Sequence, residues 1–439
     1  MLLSLYFISF RFSMKHSIYW CKVNKFYLNK WLAYFSQRWF DNEQWHLMAT
    51  CVVTDRAKSK RVKEAKKNLS KWQSLYLTWC WAFEKWESME YEKFFWLYPE
   101  LLPWKERITL LGEDPATQTD LWDIGQYQLN REVWFEEKQQ LDMQERQERH
   151  KKRLYTKKFI VIQSGCDTFC TFCLTIYKRW SNRNRPLAEI IDEVNEFVAL
   201  WWNEIVLTGV NLAAWWATHT RKIAENKFSE LLEAILQKTS IERIRISSLW
   251  PEFLDDQFFE LMHDSRFLPH FHFSIQHFDT GVLKLMNRNY DYERLDTVLT
   301  RIRSLNRPDR DLISIGADLI VWFPSESQEA FAHLCQCVEQ YWLTKLHAFP
   351  FSPHQKWETV PAWSFADQIS AAVKKERMDI LLAVWDRVRE TFINKNKGIK
   401  HTVLVEGTKD WTRSGWTWNY IHCQWEEQYH RGSLVEVVL

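Results

Sequence analysis

Residues 159–173 read FIVIQSGCDTFCTFC, and the reading of this stretch decides the fold. FIVIQ is a short continuous apolar run ended by Ser164 and Gly165, the pattern of a buried strand that stops at a loop. Cys166, Cys170 and Cys173 follow directly on that loop. Three thiolates this close can hold three irons of a [4Fe-4S] cube and leave the fourth iron open. Zinc usually wants a fourth thiolate or a histidine nearby, and the loop offers neither.

Working outward, the strand-then-helix pattern repeats through residue 350. EIVLTGVNL (204–212), RIRISS (243–248), HFHFSIQ (270–276), SIGADLIVWF (314–323) and KLHAFPF (345–351) are strand candidates, separated by helical stretches such as AEIIDEVNEFVAL (188–200). Six such units predict a parallel sheet curled as a partial (β/α) barrel. A helix is expected over 371–394, and HTVLVEG, WNYIHCQW and SLVEVVL then read as strands of a small C-terminal β-barrel.

Toward the amino terminus, SIYWCKVN (17–24), HLMATCVVT (46–54) and SLYLTWC (74–80) read as three strands of a small α/β domain. Cys21, Cys51 and Cys80 each fall at a strand's carboxyl end, where open α/β sheets gather their ligands. The expected organisation is an α/β domain over 14–83, a helical extension or linker over 84–153, the barrel over 154–394 and the β tail over 395–439. The basic run ERQERHKKRLYTKK (145–158) is more often a solvated helix face than an RNA contact.

Composition sets the outer bounds. A chain of 439 residues with 46% hydrophobic and 26% charged side chains suits two or three globular domains and excludes a disordered or fibrous class. With 58 basic against 56 acidic side chains the net charge is +2, so a polyanion site has to be a local patch. Residues 1–13 lack a basic n-region and a small-residue cleavage site, which argues against a secretory signal and leaves Met14 as an alternative start. No stretch reaches the roughly 18 to 20 apolar residues of a membrane span. Nine cysteines, an odd number, fit a reducing cytoplasm with thiolate ligands better than a disulfide framework. Cys335, Cys337 and Cys423 read as packing residues.

The cysteine spacing, its place after the first barrel strand and Phe172 before the last cysteine resemble the radical S-adenosylmethionine (SAM) enzymes. KRWSNRNRP (178–186), VLTGVNL, HFHFSIQH, MNRNY (286–290), ADLIVWFP and FPFSPHQKWET (349–359) resemble the methylthiotransferase branch of that family. The resemblance implies that the open iron binds the amino and carboxylate groups of SAM and that reductive cleavage gives a 5′-deoxyadenosyl radical. It implies cofactor contacts at Thr208, Gly209, Asn211, Ser247, Gln276 and Asp318. By the same resemblance Cys21, Cys51 and Cys80 ligate a second, sulfur-supplying [4Fe-4S] cluster, and the tail is a TRAM-like RNA-binding module.

CKVN, VLTGVNLAAW and RIRISSLWPEF look most like the branch that methylthiolates C2 of N6-threonylcarbamoyladenosine in tRNA, next to the anticodon. The alternatives are isopentenyladenosine tRNA, a ribosomal protein, or a non-catalytic metal-containing RNA-binding protein. The expected partners are tRNA, a sulfur donor and a reductant such as flavodoxin or ferredoxin, for a cytoplasmic monomer without a membrane.

One feature of the composition is abnormal. The chain has 27 Trp and 10 Gly, about 6% and 2%, where glycine alone usually supplies about 7%. At Trp20, Trp79, Trp250, Trp322 and Trp357 the resembled pattern has glycine, the residue favoured where φ is positive or a backbone approaches closely. Either the chain is a heavily aromatic variant, or UGA encodes glycine in the source and is written here as tryptophan. The second reading is favoured, with Trp416 taken as genuine. It predicts UGA codons at positions 20, 79, 322 and 357, and a native peptide over 318–324 lighter by the difference between an indolylmethyl group and hydrogen. Mass spectrometry of the native protein checks this, and an intact Trp322 would refute the recoding.

Overall fold

The structure is a computed structural model. It describes residues 15–18, 22–36, 45–49, 55–112 and 155–439, except 72, 79, 85–86, 180, 201, 218–224, 310–311, 354–359, 410–411 and 426–428. The chain divides into two units, Met1–Tyr127 with Tyr177–Arg179, and Gln128–Ile176 with Trp180–Leu439.

In the first unit, β1 (Lys15–Ile18), α1 (Lys22–Ser36), β2 (Trp45–Ala49), α2 (Asp55–Leu69), β3 (Ser74–Thr78) and β4 (Ile108–Leu110) form a parallel sheet in the order β1-β2-β3-β4. Leu28, Trp31 and Phe35 of α1 pack on Leu47 and Tyr76 of the sheet, the apolar stripe expected of a helix covering a sheet face. Two sequence expectations need correction. The first strand stops at Ile18, and Val23 and Asn24 belong to a helix, because an apolar stretch this short does not distinguish strand from helix by pattern. The sheet also runs past residue 83, since β4 pairs with β3 through Leu75↔Ile108 and Leu77↔Leu110.

The second unit carries the six barrel strands where the sequence put them. They are β5 (Lys158–Val161), β6 (Glu204–Thr208), β7 (Arg243–Ile246), β8 (His270–Gln276), β9 (Ser314–Val321) and β10 (Leu343–Pro350). They form two parallel sheets, β7-β6-β5 and β8-β9-β10, linked by parallel bridges Ile244↔Phe267 and Leu249↔Phe273. Helices α3 (Leu187–Ala199), α4 (Phe228–Lys238), α5 (Asp256–Leu261), α6 (Tyr292–Arg303) and α7 (Gln328–Gln340) lie between the strands. Asp255, Asp291 and Ser327 cap α5, α6 and α7 by accepting a backbone N–H three residues on. The long α8 (Ala371–Asn396) follows, with Trp385 Nε1 donating to the Thr344 carbonyl of β10 at 3.2 Å. No helix among the described residues is long and apolar enough to cross a membrane.

The tail forms β11 (Lys400–Lys409), β12 (Thr412–Thr417), β13 (His422–Trp425) and β14 (Leu434–Val438), an antiparallel sheet in the order β13-β12-β11-β14. It sits on the amino ends of the barrel strands. Tyr420 stacks on His270 with ring centroids 4.1 Å apart and on Trp416 at 4.4 Å, while Arg243 lies over the Trp418 ring and Arg245 over the Tyr420 ring. Trp416 thus forms part of this aromatic stack. Cys337 packs in the barrel core and Cys423 in the tail core.

The tryptophan expectation divides by position. Trp322 adopts φ 65°, and Trp216 and Trp342 share the left-handed region at 52° and 49°, where glycine is at ease and an indole is strained. Trp250 is extended at φ −110°, so its backbone makes no demand for glycine. Trp20, Trp79 and Trp357 lie outside the described residues.

Beneath the tail, Glu204 is 1% exposed and binds Arg243 Nη2 at 2.9 Å and Arg245 Nε at 3.0 Å. Burial alone would raise its pKa, but the two guanidiniums and Lys157 outweigh it and hold the carboxyl at about 2 against the usual 4.5. A group depressed in this way contributes stability that is present above 4.5 and lost as pH falls through about 2. Glu204→Gln leaves buried cations unpaired and is expected to cost about 3–5 kcal/mol at neutral pH. It should also lose less additional stability than the parent on acidification to pH 3. Denaturant unfolding at both pH values checks this, and an unchanged midpoint at pH 7 would contradict it.

Candidate active site at the cysteine loop

The carboxyl end of β5 delivers the chain into the cysteine loop. Cys166 and Cys170 are buried and Cys173 is half-buried. Burial pushes the Cys166 thiol up to about 12, and the neighbouring Cys170 and Cys173 add to the shift. Burial likewise raises Cys170 to about 11, against the pull of Arg288. Each sulfur has a polar neighbour: Thr168 Oγ1 at 3.4 Å from Cys166, Arg288 Nη1 at 3.4 Å from Cys170 and Thr175 Oγ1 at 3.1 Å from Cys173.

MNRNY clamps the loop. Asn287, at φ 58°, donates through Nδ2 to the carbonyls of Thr168 and Phe169, both at 3.0 Å. Thr171 N donates to the Met286 carbonyl at 3.2 Å. Arg288 also donates to the Ser274 carbonyl at 2.8 Å and to Tyr290 Oη at 2.9 Å, and its guanidinium lies 3.8 Å from the centre of the Trp250 ring. Glu252 is buried nearby with neither carboxylate oxygen hydrogen-bonded, and burial raises its pKa.

Gln163 joins the cysteine loop to the end of β6. Its Nε2 donates to the carbonyls of Ser164 and Gly165, while its Oε1 accepts from Val210 N at 3.0 Å and Asn211 N at 2.8 Å. Gly209 makes this junction fit, because a Cβ there would stand 3.0 Å from both Gln163 O and Gln163 Oε1. Thr208 ends β6, Ser247 follows β7 and Gln276 ends β8 at φ 70°, so five of the six expected cofactor contacts lie at the carboxyl end of a strand. Asp318 does not join them. It lies within β9 and is engaged by His272 and His347. Of the amino-terminal cysteines, Cys80 is buried just after β3, and Cys21 and Cys51 lie outside the described residues.

Sequence reading missed Gln163, Asn287 and Arg288 as site residues. Gln163 hid at the end of an apolar strand, and MNRNY served only as a resemblance; its tandem polar side chains after a short helix were the available signal.

A strand-fed loop of three thiols at the carboxyl end of a parallel barrel suits an iron–sulfur cluster whose fourth iron is left open. Residues 160–338 match the Radical SAM superfamily. The chain's relatives are methylthiotransferases. It is 31% identical to the threonylcarbamoyladenosine tRNA methylthiotransferase MtaB of Rickettsia prowazekii over 57% of this chain and 58% of that protein. It is 32% identical to the MtaB of Aquifex aeolicus over 64% and 65%. It is also 32% identical to a tRNA-2-methylthio-N(6)-dimethylallyladenosine synthase of Acetivibrio thermocellus over 57% and 50%. The chain thus spans between half and two thirds of the length of these relatives. Among solved structures, the methyltransferase TsrM of Kitasatospora setae aligns over 73% of this chain and 66% of that one, with TM-score 0.44 and 12% identity.

The match to this superfamily implies a [4Fe-4S] cluster and SAM, and the residues present fit both. Three thiols on one loop match the cluster's need. Asn211 is 1% exposed with neither Nδ2 nor Oδ1 hydrogen-bonded, as is expected of a side chain that waits for a polar ligand.

Proposed function

We propose that the chain is a radical SAM tRNA methylthiotransferase that acts on C2 of N6-threonylcarbamoyladenosine next to the anticodon. The observation that carries the radical chemistry is the three-thiol loop, with Cys166 and Cys170 buried, together with the buried, unpartnered Asn211 side chain. When bound, the loop cluster and SAM supply a 5′-deoxyadenosyl radical, and a second cluster supplies the sulfur.

Cys166, Cys170 and Cys173 ligate three irons of the radical cluster, and the Arg288 cation offsets part of the negative charge at Cys170. Asn211 offers a donor and an acceptor to the amino acid end of SAM, and Thr208, Gly209, Ser247 and Gln276 border the same end of the barrel. Cys21, Cys51 and Cys80 hold the second cluster. The tail binds tRNA, a sulfur source replenishes the second cluster, and a flavodoxin or ferredoxin supplies electrons.

The two threonylcarbamoyladenosine relatives support the substrate, and the dimethylallyladenosine relative at equal identity supports isopentenyladenosine as the second reading. Nucleoside mass spectrometry of tRNA from cells lacking the gene decides between them. Loss of the 2-methylthio group from threonylcarbamoyladenosine alone is expected, and loss from the isopentenyl nucleoside alone would move the assignment. A Cys51→Ala, Cys80→Ala double variant is expected to make 5′-deoxyadenosine at the parent rate and no methylthio-nucleoside. Normal product from that variant would remove the second cluster from the account.

A further inference from the structure

Outside the cysteine loop, the barrel interior holds a second group of metal-capable side chains, one on each of β8, β9 and β10. His272, Asp318 and His347 bring their donor atoms within 4.8 Å of one another. His272 Nε2 lies 2.9 Å and His347 Nδ1 3.1 Å from the same oxygen, Asp318 Oδ1. Barrel interiors are ordinarily filled by branched apolar residues, so a layer of two imidazoles and a carboxylate calls for a ligand.

The surroundings orient each donor. His347 and Asp318 are register partners on adjacent strands. His272 pairs with Gly316, and a Cβ at Gly316 would stand 2.5 Å from His272 Nδ1, so the glycine lets the ring lie flat across the strand with Nε2 toward Asp318. Ser274 Oγ donates to Asp318 Oδ2 at 3.3 Å, the carboxylate support commonly found behind metal ligands. His272 is 5% exposed, whereas the His347 side chain is about one third exposed, which gives an ion a way in.

We propose that His272 Nε2, Asp318 Oδ1 and His347 Nδ1 bind one divalent transition ion, of which zinc(II) is the best match, at a site separate from the cysteine loop. Two imidazoles and one carboxylate suit zinc, and three protein ligands leave a position for an exogenous nitrogen or oxygen donor. The observed separations of 2.9 and 3.1 Å are a few tenths short of the roughly 3.3 Å ligand–ligand edge of a tetrahedral zinc site with bonds of about 2.0 Å, and the two imidazole nitrogens lie within 4.8 Å of each other. Asp318 then serves this ion rather than SAM.

The test uses the full chain with its iron–sulfur sites reconstituted, given one equivalent of zinc(II) and desalted. Metal analysis should find about one zinc retained per chain, and zinc-edge X-ray absorption should show nitrogen and oxygen at about 2.0–2.1 Å with no sulfur at about 2.3 Å. His272→Ala and His347→Gln should each cut retained zinc at least tenfold with iron content unchanged. His347→Gln, at the partly exposed position, carries the test if His272→Ala fails to fold. Loss of zinc on desalting, a sulfur shell, or retention untouched by both variants would overturn the site. Iron measured in the same samples reports separately on the cysteine loop, so failure there leaves a nitrogen–oxygen zinc shell still in support.

Discussion

Three thiols on one short loop, two of them buried, are the constraint on which the rest of this structure depends. Burial drives Cys166 to about 12 and Cys170 to about 11, so without metal the thiol form of these two is favoured. Bound iron reverses that balance, because thiolates are favoured once they ligate a cation. The loop must be held ready for such an exchange, and its hydrogen bonds do this. Asn287 fixes two carbonyls, Gln163 fixes two more, and Arg288 brings a permanent charge to Cys170.

Arg288 also shows how the layers of the barrel are connected. Its guanidinium joins Cys170 to the Ser274 carbonyl, and the Ser274 hydroxyl reaches Asp318 one layer deeper. Substitutions at Ser274 or Arg288 therefore act on the cysteine loop and on the His272–Asp318–His347 layer together. At the opposite end, Tyr420 and Trp418 cover the buried Glu204, Arg243 and Arg245 cluster, which makes the tail part of the barrel's own charge balance.

The barrel was legible in the sequence because strand-like stretches alternate with helical ones six times, and because CxxxCxxC spacing has few other uses. Thr208, Gly209 and Asn211 were singled out through the family resemblance, and Thr208 ends β6 with the other two just beyond it. What escaped is non-local. Strand β4 is three residues in a charged segment and exists through pairing with β3, and β12, reading TRSGWT, is a strand only because β11 and β13 flank it. The role of Arg288 depends on a cysteine 118 positions away, and no local period carries that information. The excess of tryptophan was visible at once, but only backbone angles separate Trp322, at positive φ, from Trp250, which is extended and gives Arg288 a stacking surface.

The central claim is that the cysteine loop generates a radical from SAM. Its most direct measurement is 5′-deoxyadenosine formed by the anaerobically reconstituted full chain with SAM and dithionite. The account predicts formation by the parent chain and none by Cys170→Ala. Equal formation by both would contradict it.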